Sequence, residues 1–527
     1  MHYGGRRQFL VEPGFISRSS ATAFPLMAAA LAALIFVYGY VTHPVVPWPS
    51  GPPGWRAWAD QTEYLRSASA FAQFNLERQN HNYPPLYALL GSPFTWLWPH
   101  DPFVLIDLVC MSATAWLLVV IFQRELPPWI AALAAVLMLG NPWIRDVFLI
   151  PFTSTLVAPL ILAAVAMLQK AEADGSVTER QSWWFALCIG LVIPARPLDG
   201  AIAGLLLPFW LWLVVQRYRA GRMTWPSLQR HVAWLAAGGL VGPLLLLANN
   251  LLIFRNWKSS YMGLAKSLDL STVPQKFVSV FLDSGSLYLD PGQAMLTRLP
   301  WVLPVVAGVT LCLLFGKLWQ RAAATIVVAA LALYLSFTDL LPNGLFRYSN
   351  YHYFRWPILL GSMLALVAIM PMFRRGTGLR RAIIASVFLA TAALSGLRLD
   401  LTDRSVAVRQ DGDRLAVEIG GTSFDFVDLS PAKGEWAASY FANPRGELDG
   451  RELALMREIK IIPSSVFPHA LGEGPGANNA VRLLMLTRAQ GDVLAIHPDG
   501  LPFKFEGQPT ARAGRYSYGW GLPRWLP

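Results

Sequence analysis

The chain has 527 residues, of which 54% are hydrophobic and 14% carry a charge, with a formal net charge of +11. Soluble proteins usually have about 25% charged residues, and here apolar runs of roughly 17 to 25 residues, long enough to cross a bilayer core, recur along most of the sequence. The composition therefore excludes an ordinary soluble protein. The positive charge does not indicate nucleic acid as a partner, because the basic residues stand in short turns beside the apolar runs, where they determine membrane topology.

The apolar runs predict a polytopic all-α membrane protein with about eleven transmembrane helices. Pro194 and Pro197 interrupt the run 183–216, so we expect a hairpin of two short helices there; a single long, tilted helix is the alternative. In chain order, the predicted spans are 21–41, 102–123, 128–144, 147–169, 183–195, 197–216, 232–254, 299–316, 322–339, 355–372 and 381–397.

The basic turns predict the orientation of these spans. With eleven spans, every basic turn falls on one side of the membrane, which is then the cytoplasmic side because short cytoplasmic loops are rich in Lys and Arg. The N-terminus is therefore inside, and the large connections 42–101, 255–298, 340–354 and 398–527 are outside. The basic residues are Arg6, Arg7, Arg18, Arg217, Arg219, Arg222, Arg230, Lys317, Arg321, Arg374, Arg375, Arg380 and Arg381.

The C-terminal region 398–527 has a different sequence pattern from the rest of the chain. Apolar and polar residues alternate on both sides of the glycine-containing turns at 411–412 and 420–421, as they do in hairpins of β-strands. The stretch 450–462 has helical spacing followed by a strand-like end. We therefore expect a small mixed α/β domain outside the membrane.

These patterns divide the chain into a cytoplasmic tail (1–20), a transmembrane domain (21–397) and an extracytoplasmic α/β domain (398–527). The first apolar run has no small-residue cleavage site and is long enough to span the membrane, so it does not resemble a cleaved signal peptide. All three cysteines lie in apolar runs, and they predict neither a disulfide framework nor a metal site. They are Cys110, Cys188 and Cys312.

The first outer loop, 42–101, has the clearest local motifs. The segment "WADQTEYLRSASAFAQF" predicts an amphipathic helix in which Asp60, Tyr64 and Ala68 share one face, because they are four residues apart. The segment 83–87, Tyr-Pro-Pro-Leu-Tyr, follows about twenty residues later and predicts a stiff, non-helical corner before the second span.

An outer loop with Asp-x3-Tyr-x3-Ala and then Tyr-Pro-Pro-Leu-Tyr, leading into the second span, resembles the GT-C superfamily of integral-membrane glycosyltransferases. The resemblance covers roughly residues 20–400 and is clearest at 60–93. It implies transfer of a sugar from a polyprenyl-phosphate donor on the outer face of a membrane, here the bacterial inner membrane. The implied partners are membrane lipids, that donor, and a glycan, glycolipid or protein acceptor, with no nucleic acid.

The resemblance also implies roles for particular residues. Asp60 matches the catalytic acid of the family and would deprotonate the acceptor hydroxyl in an inverting transfer. The lipid phosphate that leaves requires cations, for which Arg196 and the cluster in "GLFRYSNYHYFRWP" are candidates. The candidate phosphate-binding residues are Arg196, Arg347 and Arg355, and those of the substrate cleft are Glu63, Tyr64, His81, Tyr83, Tyr87, Asp146, Tyr348 and His352.

The sequence departs from the family pattern at the start of the fourth span. Many relatives have a glutamate there, whereas this chain has "VFLIPFTSTL", and Asp146 is the nearest acid. A divalent ion needs more than one hard oxygen ligand, and no second carboxylate matches the family. We therefore assign no metal ligands and name no certain cofactor; a divalent metal, with Asp146 in the second acidic role, is the alternative that no second matching carboxylate supports.

Each of these residues also has a purely structural interpretation. Asp60 could stabilise a helix N-terminus, Glu63 could be a solvated helix residue, Tyr83 and Tyr87 could anchor the loop at the membrane interface, and Arg196 could extend to lipid headgroups. Two other functions also stay open: a transporter or flippase of a lipid-linked glycan, which predicts ionisable residues near the bilayer midplane, and a non-catalytic scaffold.

Overall fold

The computed structural model describes a bundle of helices followed by a β-sheet, so the chain is a mostly helical, multi-pass membrane protein with a C-terminal β region. Its helices end at Leu394 and its strands begin at Leu397. The described residues are 18–42, 59–259, 268, 270, 273–283, 294–337, 351–369, 378–430, 445–459, 481–497 and 508–522.

Each predicted span contains helical residues in the structure. Among the residues that the structure describes, six helices are long and apolar enough to cross a membrane, or seven if one bent pair is counted as a single span, so the number of eleven crossings stays a prediction. The helices are α1 (Arg18–Thr42), α2 (Ala59–Ala72), α3 (Pro85–Gly91), α4 (Val104–Phe122), α5 (Pro128–Gly140), α6 (Pro142–Leu149), α7 (Thr153–Ala173), α8 (Glu179–Ala195), α9 (Pro197–Gly204), α10 (Leu207–Arg219), α11 (Trp225–Phe254), α12 (Val273–Lys276), α13 (Met295–Arg298), α14 (Val302–Phe315), α15 (Leu318–Ser336), α16 (Arg355–Ile369) and α17 (Gly378–Leu394).

The third and fourth predicted spans have different limits in the structure. α5 ends at Gly140, α6 follows at an angle of 70°, and α7 begins only at Thr153. Pro142 takes the first position of α6, and the side chain of Asn141 accepts a hydrogen bond from the backbone N–H of Trp143. Such a cap, with proline at the first helical position, starts a new helix, which is why the span predicted over 128–144 is not continuous.

The run 183–216 is a hairpin and not one long helix. The backbone of Arg196 is extended (φ −158°, ψ 98°) between α8 and α9. Trp210 of α10 returns to the beginning of α8, where its indole N–H donates to Ser182 and its ring stacks on Phe185 with centroids 4.2 Å apart. The turn therefore places Arg196 at the tip of an antiparallel pair.

α8 and α11 pack backbone against backbone. A Cβ atom at Gly242 of α11 would overlap the carbonyl of Gly190 in α8, and one at Gly238 would overlap the carbonyl of Trp183. Small residues allow such close approach of helices in membrane proteins. The close contact fixes the course of α8 toward Arg196.

Several connecting turns meet at the opposite end of the bundle. Lys317 pairs with Glu125 at 2.6 Å, Arg217 donates to the carbonyl of Ala171, and the carboxylate of Glu172 accepts from the first backbone N–H groups of α15. These turns, several of them basic, thus share one end of the bundle. Which side of the membrane that end faces stays a prediction.

The described residues of the C-terminal part form an antiparallel sheet of nine strands in the order β1-β9-β4-β7-β6-β5-β8-β3-β2. The prediction of helical spacing at 450–462 was wrong, because β6 pairs with β5 on one side and with β7 on the other. No helix lies between Leu397 and Leu522 in the described parts of the chain. The strands are β1 (Leu397–Val406), β2 (Val408–Asp411), β3 (Arg414–Glu418), β4 (Ser423–Ser430), β5 (Arg445–Leu448), β6 (Arg451–Ile459), β7 (Val481–Gln490), β8 (Val493–Ile496) and β9 (Thr510–Trp520).

Candidate functional site

Asp60 lies in the first turn of α2 and is half-buried. Its carboxylate accepts a hydrogen bond of 2.6 Å from the phenol of Tyr83. Tyr83 stands just before Pro84 and Pro85, which start α3 and are both buried. Because proline restricts the residue before it to extended backbone, the corner fixes the position from which Tyr83 reaches Asp60.

A second tyrosine–aspartate pair lies deeper in the same loop. Tyr87 is fully buried, and its hydroxyl donates to both carboxylate oxygens of Asp107 at 2.8 and 2.9 Å. Burial, and then the neighbouring Asp107 carboxylate, raise the pKa of Tyr87 well above its ordinary value, which keeps the hydroxyl protonated as a donor. The ring of Tyr64 lies between the two pairs, 4.8 Å from Tyr83 and 5.7 Å from Tyr87.

Glu63 and His81 have partners within the loop itself. Glu63 accepts from the amide of Asn82 and pairs with Arg66 at 2.8 Å. His81 is buried, and its ring nitrogens contact the hydroxyl of Ser67 and the carbonyl of Asn75, each at 2.9 Å. These contacts tie the polypeptide between α2 and α3 into a compact unit.

The segment 147–155, which runs from the end of α6 to the start of α7, joins the first loop to the beginning of α16. On one side, the amide of Gln61 donates to the carbonyl of Pro151 at 3.1 Å, next to Asp60. On the other side, the ring of Phe152 lies 4.1 Å from that of His352. The start of α2 and the start of α16 are therefore neighbours across one short piece of chain.

Arg355, at the start of α16, is fully buried. Its guanidinium donates to the hydroxyl of Thr155 and to the carbonyl of Val147, and it lies 4.4 Å from the ring centroid of Phe148. Two charged residues interact electrostatically with this guanidinium: Asp107 attracts it and Arg196 repels it. Arg355 thus anchors α16 to α6 and α7 and contributes positive charge from behind the site.

Arg196 lies between aromatic rings at the tip of the α8–α9 hairpin. Its guanidinium carbon is 4.5 Å from the ring centroid of Tyr353 and 5.2 Å from that of Tyr334, distances at which cations and aromatic faces attract. Asp199, in the first turn of α9, is 3.3 Å from the guanidinium and accepts a 2.8 Å hydrogen bond from the indole of Trp356. These contacts orient the guanidinium.

The other predicted residues are placed as follows. Asp146 is buried and accepts two hydrogen-bonding contacts from Arg145, at 2.8 and 2.9 Å. Arg347 and Tyr348 lie outside the described residues. Within the described ranges, no three His, Cys, Asp or Glu side chains come together as a metal site would require, and the absence of a metal stays a prediction.

Several residues of this region were not among the candidate site residues of the sequence. They include Gln61, Asp107, Asp199 and Lys276, of which Lys276 is fully buried and donates to the carbonyl of Phe337. An acid in the first turn of an apolar helix is a signal for the two aspartates, since an ionisable residue in a membrane segment is a functional candidate by default. Gln61 and Lys276 carry no such signal.

Chemically, the region combines a half-buried carboxylate with buried cations. Asp60 can accept a proton, since its oxygen is already oriented by Tyr83. Arg196 and Arg355 bring guanidinium groups to the same region, and such groups can stabilise an anion.

No family model and no curated protein matches this sequence. Solved structures that it resembles include ArnT from Cupriavidus metallidurans bound to undecaprenyl phosphate, at 12% identity and a TM-score of 0.41 over 71% of this chain and 64% of ArnT. The Archaeoglobus fulgidus oligosaccharyltransferase in complex with Zn and sulfate matches at 14% identity and a TM-score of 0.41, over 70% of this chain and 52% of its own. The oligosaccharyltransferase AglB from Archaeoglobus fulgidus, in complex with an inhibitory peptide and a dolichol-phosphate, matches at 14% identity and a TM-score of 0.39, over 71% of this chain and 56% of its own.

These neighbours are GT-C glycosyltransferases, the superfamily that the first outer loop of this chain resembles in sequence. The match spans less than two thirds of the length of each neighbour. At these identities and TM-scores, the likeness assigns neither an activity nor a substrate to this chain.

Proposed function

We propose that this chain is an integral-membrane glycosyltransferase of the bacterial inner membrane that uses a polyprenyl-phosphate-linked sugar. It transfers the sugar, with inversion, to a cell-envelope acceptor (a glycan, a glycolipid or a protein) on the outer face. In this proposal, residues 1–20 are a cytoplasmic tail, 21–397 form the catalytic membrane domain, and 398–527 lie outside the membrane.

One observation carries the proposal: Asp60, held by Tyr83, begins α2 on one side of the segment 147–155, and the buried Arg355 begins α16 on the other. A carboxylate and a buried guanidinium thus lie on either side of one short segment, at the same end of the bundle. An inverting transfer from a lipid phosphate needs this combination, since the acceptor loses a proton while the leaving group gains negative charge.

In the proposed reaction, the carboxylate of Asp60 takes the proton from the acceptor hydroxyl. The acceptor oxygen then forms a bond to the anomeric carbon, from the face opposite the phosphate. The bond between that carbon and the phosphate oxygen breaks, and the lipid phosphate leaves with the electron pair. Arg196 binds the leaving phosphate through its oriented guanidinium, and Arg355 adds positive charge from the protein interior.

A transporter or flippase would predict ionisable residues near the middle of the spans. The buried ionisable residues nearest the site lie instead at the ends of helices: Asp107, Asp199 and Arg355 are each in the first turn of α4, α9 and α16. This placement favours chemistry at one surface of the membrane over a path through it.

The test is a transfer assay in membranes with polyprenyl-phosphate sugars, comparing wild type with Asp60→Asn. Because a positioned general base contributes about a hundredfold or more, we expect the variant to lose at least about a hundredfold in kcat. Glu77→Gln is the matched control, because Glu77 is an exposed acid of the same loop. Full activity of Asp60→Asn would show that Asp60 is not the base, and a wild-type chain that consumes no polyprenyl-linked sugar would overturn the proposed function.

A further inference from the structure

Helix α2 ends with a phenylalanine in a backbone conformation that usually belongs to glycine. The N–H of Asn75 donates to the carbonyl of Ala70 at 2.8 Å, and the N–H of Phe74 donates to the carbonyl of Phe71 at 3.1 Å. These two hydrogen bonds close a helix in the Schellman motif, which needs a left-handed residue at this position. Phe74 has φ 54°, and a bulky side chain in this conformation is strained. Such strain points to a role beyond helix termination.

The strained side chain is also presented to the surroundings. Phe74 is 91% exposed and Leu76 is 44% exposed, although the backbone around them is held in place. The side chain of Asn75 accepts a hydrogen bond from the N–H of Glu77, and its carbonyl contacts a ring nitrogen of the buried His81 at 2.9 Å. The turn is therefore ordered, and it carries two apolar side chains on its outer surface.

The same turn meets the end of helix α11. The guanidinium carbon of Arg78, which begins the 3-10 turn Arg78–Asn80, lies 5.9 Å from the ring centroid of Phe254, the last residue of α11. The glycine contacts between α8 and α11 follow the same order along both helices, so the two helices run in the same direction. Phe254 therefore lies at the same end of the bundle as Arg196, which follows α8.

The end of α11 has the composition of a membrane boundary. Leu247 and Leu251 are exposed, four residues apart on one face of this 30-residue apolar helix, as expected of a span in contact with lipid. Beyond its last residue the chain carries Trp257, which is 61% exposed, and the exposed cations Arg255 and Lys258. Tryptophan is enriched where a span meets the lipid headgroups, and exposed cations are attracted to anionic headgroups.

We propose that Phe74 and Leu76 insert into the headgroup region of the bilayer, beside the end of α11. Removal of their apolar surface from water compensates for the strained backbone. The exposed cations around them bind the phosphates of anionic lipids; they are Arg78, Arg255 and Lys258.

This attachment gives the bilayer a part in positioning the first outer loop. Asp60 and Phe74 lie at opposite ends of α2, separated by about 20 Å at the rise of an α-helix. A sugar whose hydroxyl contacts Asp60 is therefore out of reach of the Phe74 ring, which favours lipid over the acceptor as its partner. The membrane surface thus fixes one end of the helix whose other end carries the candidate base.

The first experiment measures the depth of residue 74 in the full chain, in phosphatidylglycerol nanodiscs. A nitroxide is attached at Phe74→Cys, and its access to oxygen and to a water-soluble nickel chelate is measured by electron paramagnetic resonance. We expect the label to favour oxygen, which concentrates in lipid. The background removes the three native thiols, with Cys110→Ala, Cys188→Ala and Cys312→Ala.

Two further label positions calibrate the depth. A label at Leu251→Cys, on the exposed face of α11, should favour oxygen, and one at Asp411→Cys, an exposed residue at the end of β2, should favour the nickel chelate. If the label at 74 meets the nickel chelate as freely as the label at 411, Phe74 lies in water and the inference is wrong. If it is shielded from both reagents, another protein surface covers Phe74, which also overturns the inference.

The second experiment tests anchoring without a label, by amide hydrogen exchange of 73–83 in the same nanodiscs. Phe74→Asn keeps a residue that tolerates the left-handed backbone and removes the apolar ring. We expect exchange to become about three- to tenfold faster, less than full burial of a phenylalanine would give. Phe74→Trp is the matched control and should exchange as wild type. Exchange in Phe74→Asn as slow as in wild type would show that the ring anchors nothing.

The third experiment tests the cations by comparing phosphatidylglycerol with phosphatidylcholine nanodiscs. The label at 74 should lie deeper in the anionic lipid, and the combined variant Arg78→Gln, Arg255→Gln and Lys258→Gln should abolish the difference. Equal depth in both lipids would refute the binding of anionic headgroups. Depth and exchange need no turnover, so these results do not depend on the proposed function.

Discussion

Replacing Tyr83 by phenylalanine removes one hydroxyl from the candidate site and preserves the ring. The lost interaction is the 2.6 Å hydrogen bond to Asp60, whereas the packing of the ring on Tyr64 is retained. A hydrogen bond to a charged group contributes about 1.5–3 kcal/mol, and about 1.4 kcal/mol corresponds to a factor of ten in rate. If the bond acts fully in the transition state, the loss in kcat/KM is about 10- to 150-fold.

The exposure of Asp60 decides where in that range the effect lies. Because the residue is half-buried, water replaces part of the lost bond, so we expect a value near tenfold. The assay is the membrane transfer reaction with saturating acceptor, and Tyr218→Phe, at the opposite end of the bundle, is the control. If Tyr83→Phe is as active as wild type while Asp60→Asn is inactive, Tyr83 does not orient the base, and our explanation of the corner is refuted.

Three further predictions concern other contacts of the site. Tyr87→Phe removes both hydrogen-bonding contacts between the tyrosine hydroxyl and the buried carboxylate of Asp107, and should cost about 1–3 kcal/mol of stability, seen as a lower melting temperature in nanodiscs; an unchanged melting temperature would contradict this. Arg196→Lys keeps the charge but loses the planar contact with two tyrosine rings, so the donor KM should rise about tenfold or less while acceptor KM stays the same; equal effects on both would argue against phosphate binding. Burial lowers the pKa of His81, outweighing the backbone hydrogen bond with Asn75 that raises it, so the loop should have its full stability above pH 6.5 and lose it as the pH falls below that value. Amide exchange of 75–83 above and below pH 6.5 measures this, and His81→Gln should remove the dependence.

The positions of the helices could be predicted from the sequence because an apolar run of membrane length has few alternatives to a helix. The pairing of Asp60 with the Tyr-Pro-Pro-Leu-Tyr corner could be anticipated as one loop, since both motifs lie within it. The hydrogen bond between Tyr87 and Asp107 could not be predicted, because it depends on how α3 packs against α4. The stretch 451–459 became a strand against its helical spacing, because pairing with two neighbours outweighs intrinsic preference.

The residues at the tip of the α8–α9 hairpin show a second limit of prediction from the sequence. Arg196 stands out in the sequence as a basic residue among prolines, but its orientation comes from Tyr334, Tyr353 and Asp199, which lie on three elements. Lys276 lies in the unremarkable sequence "VPQKF", and only its burial beside Phe337 draws attention to it. Sequence patterns therefore identify single groups, whereas the surroundings that give those groups a task arise from tertiary packing.

The glycine contact between α8 and α11 makes one part of the lipid-embedded bundle unusually intolerant of substitution. Adding a single methyl group at Gly242 would force α11 away from the carbonyl of Gly190, and α8 could accommodate this only by shifting or tilting. Because Arg196 directly follows the last residue of α8, such a shift would move its guanidinium out of the ring faces it occupies. Natural variation in this protein should therefore be narrow at Gly242, and an inactivating substitution there would act at a distance, through a rigid helix.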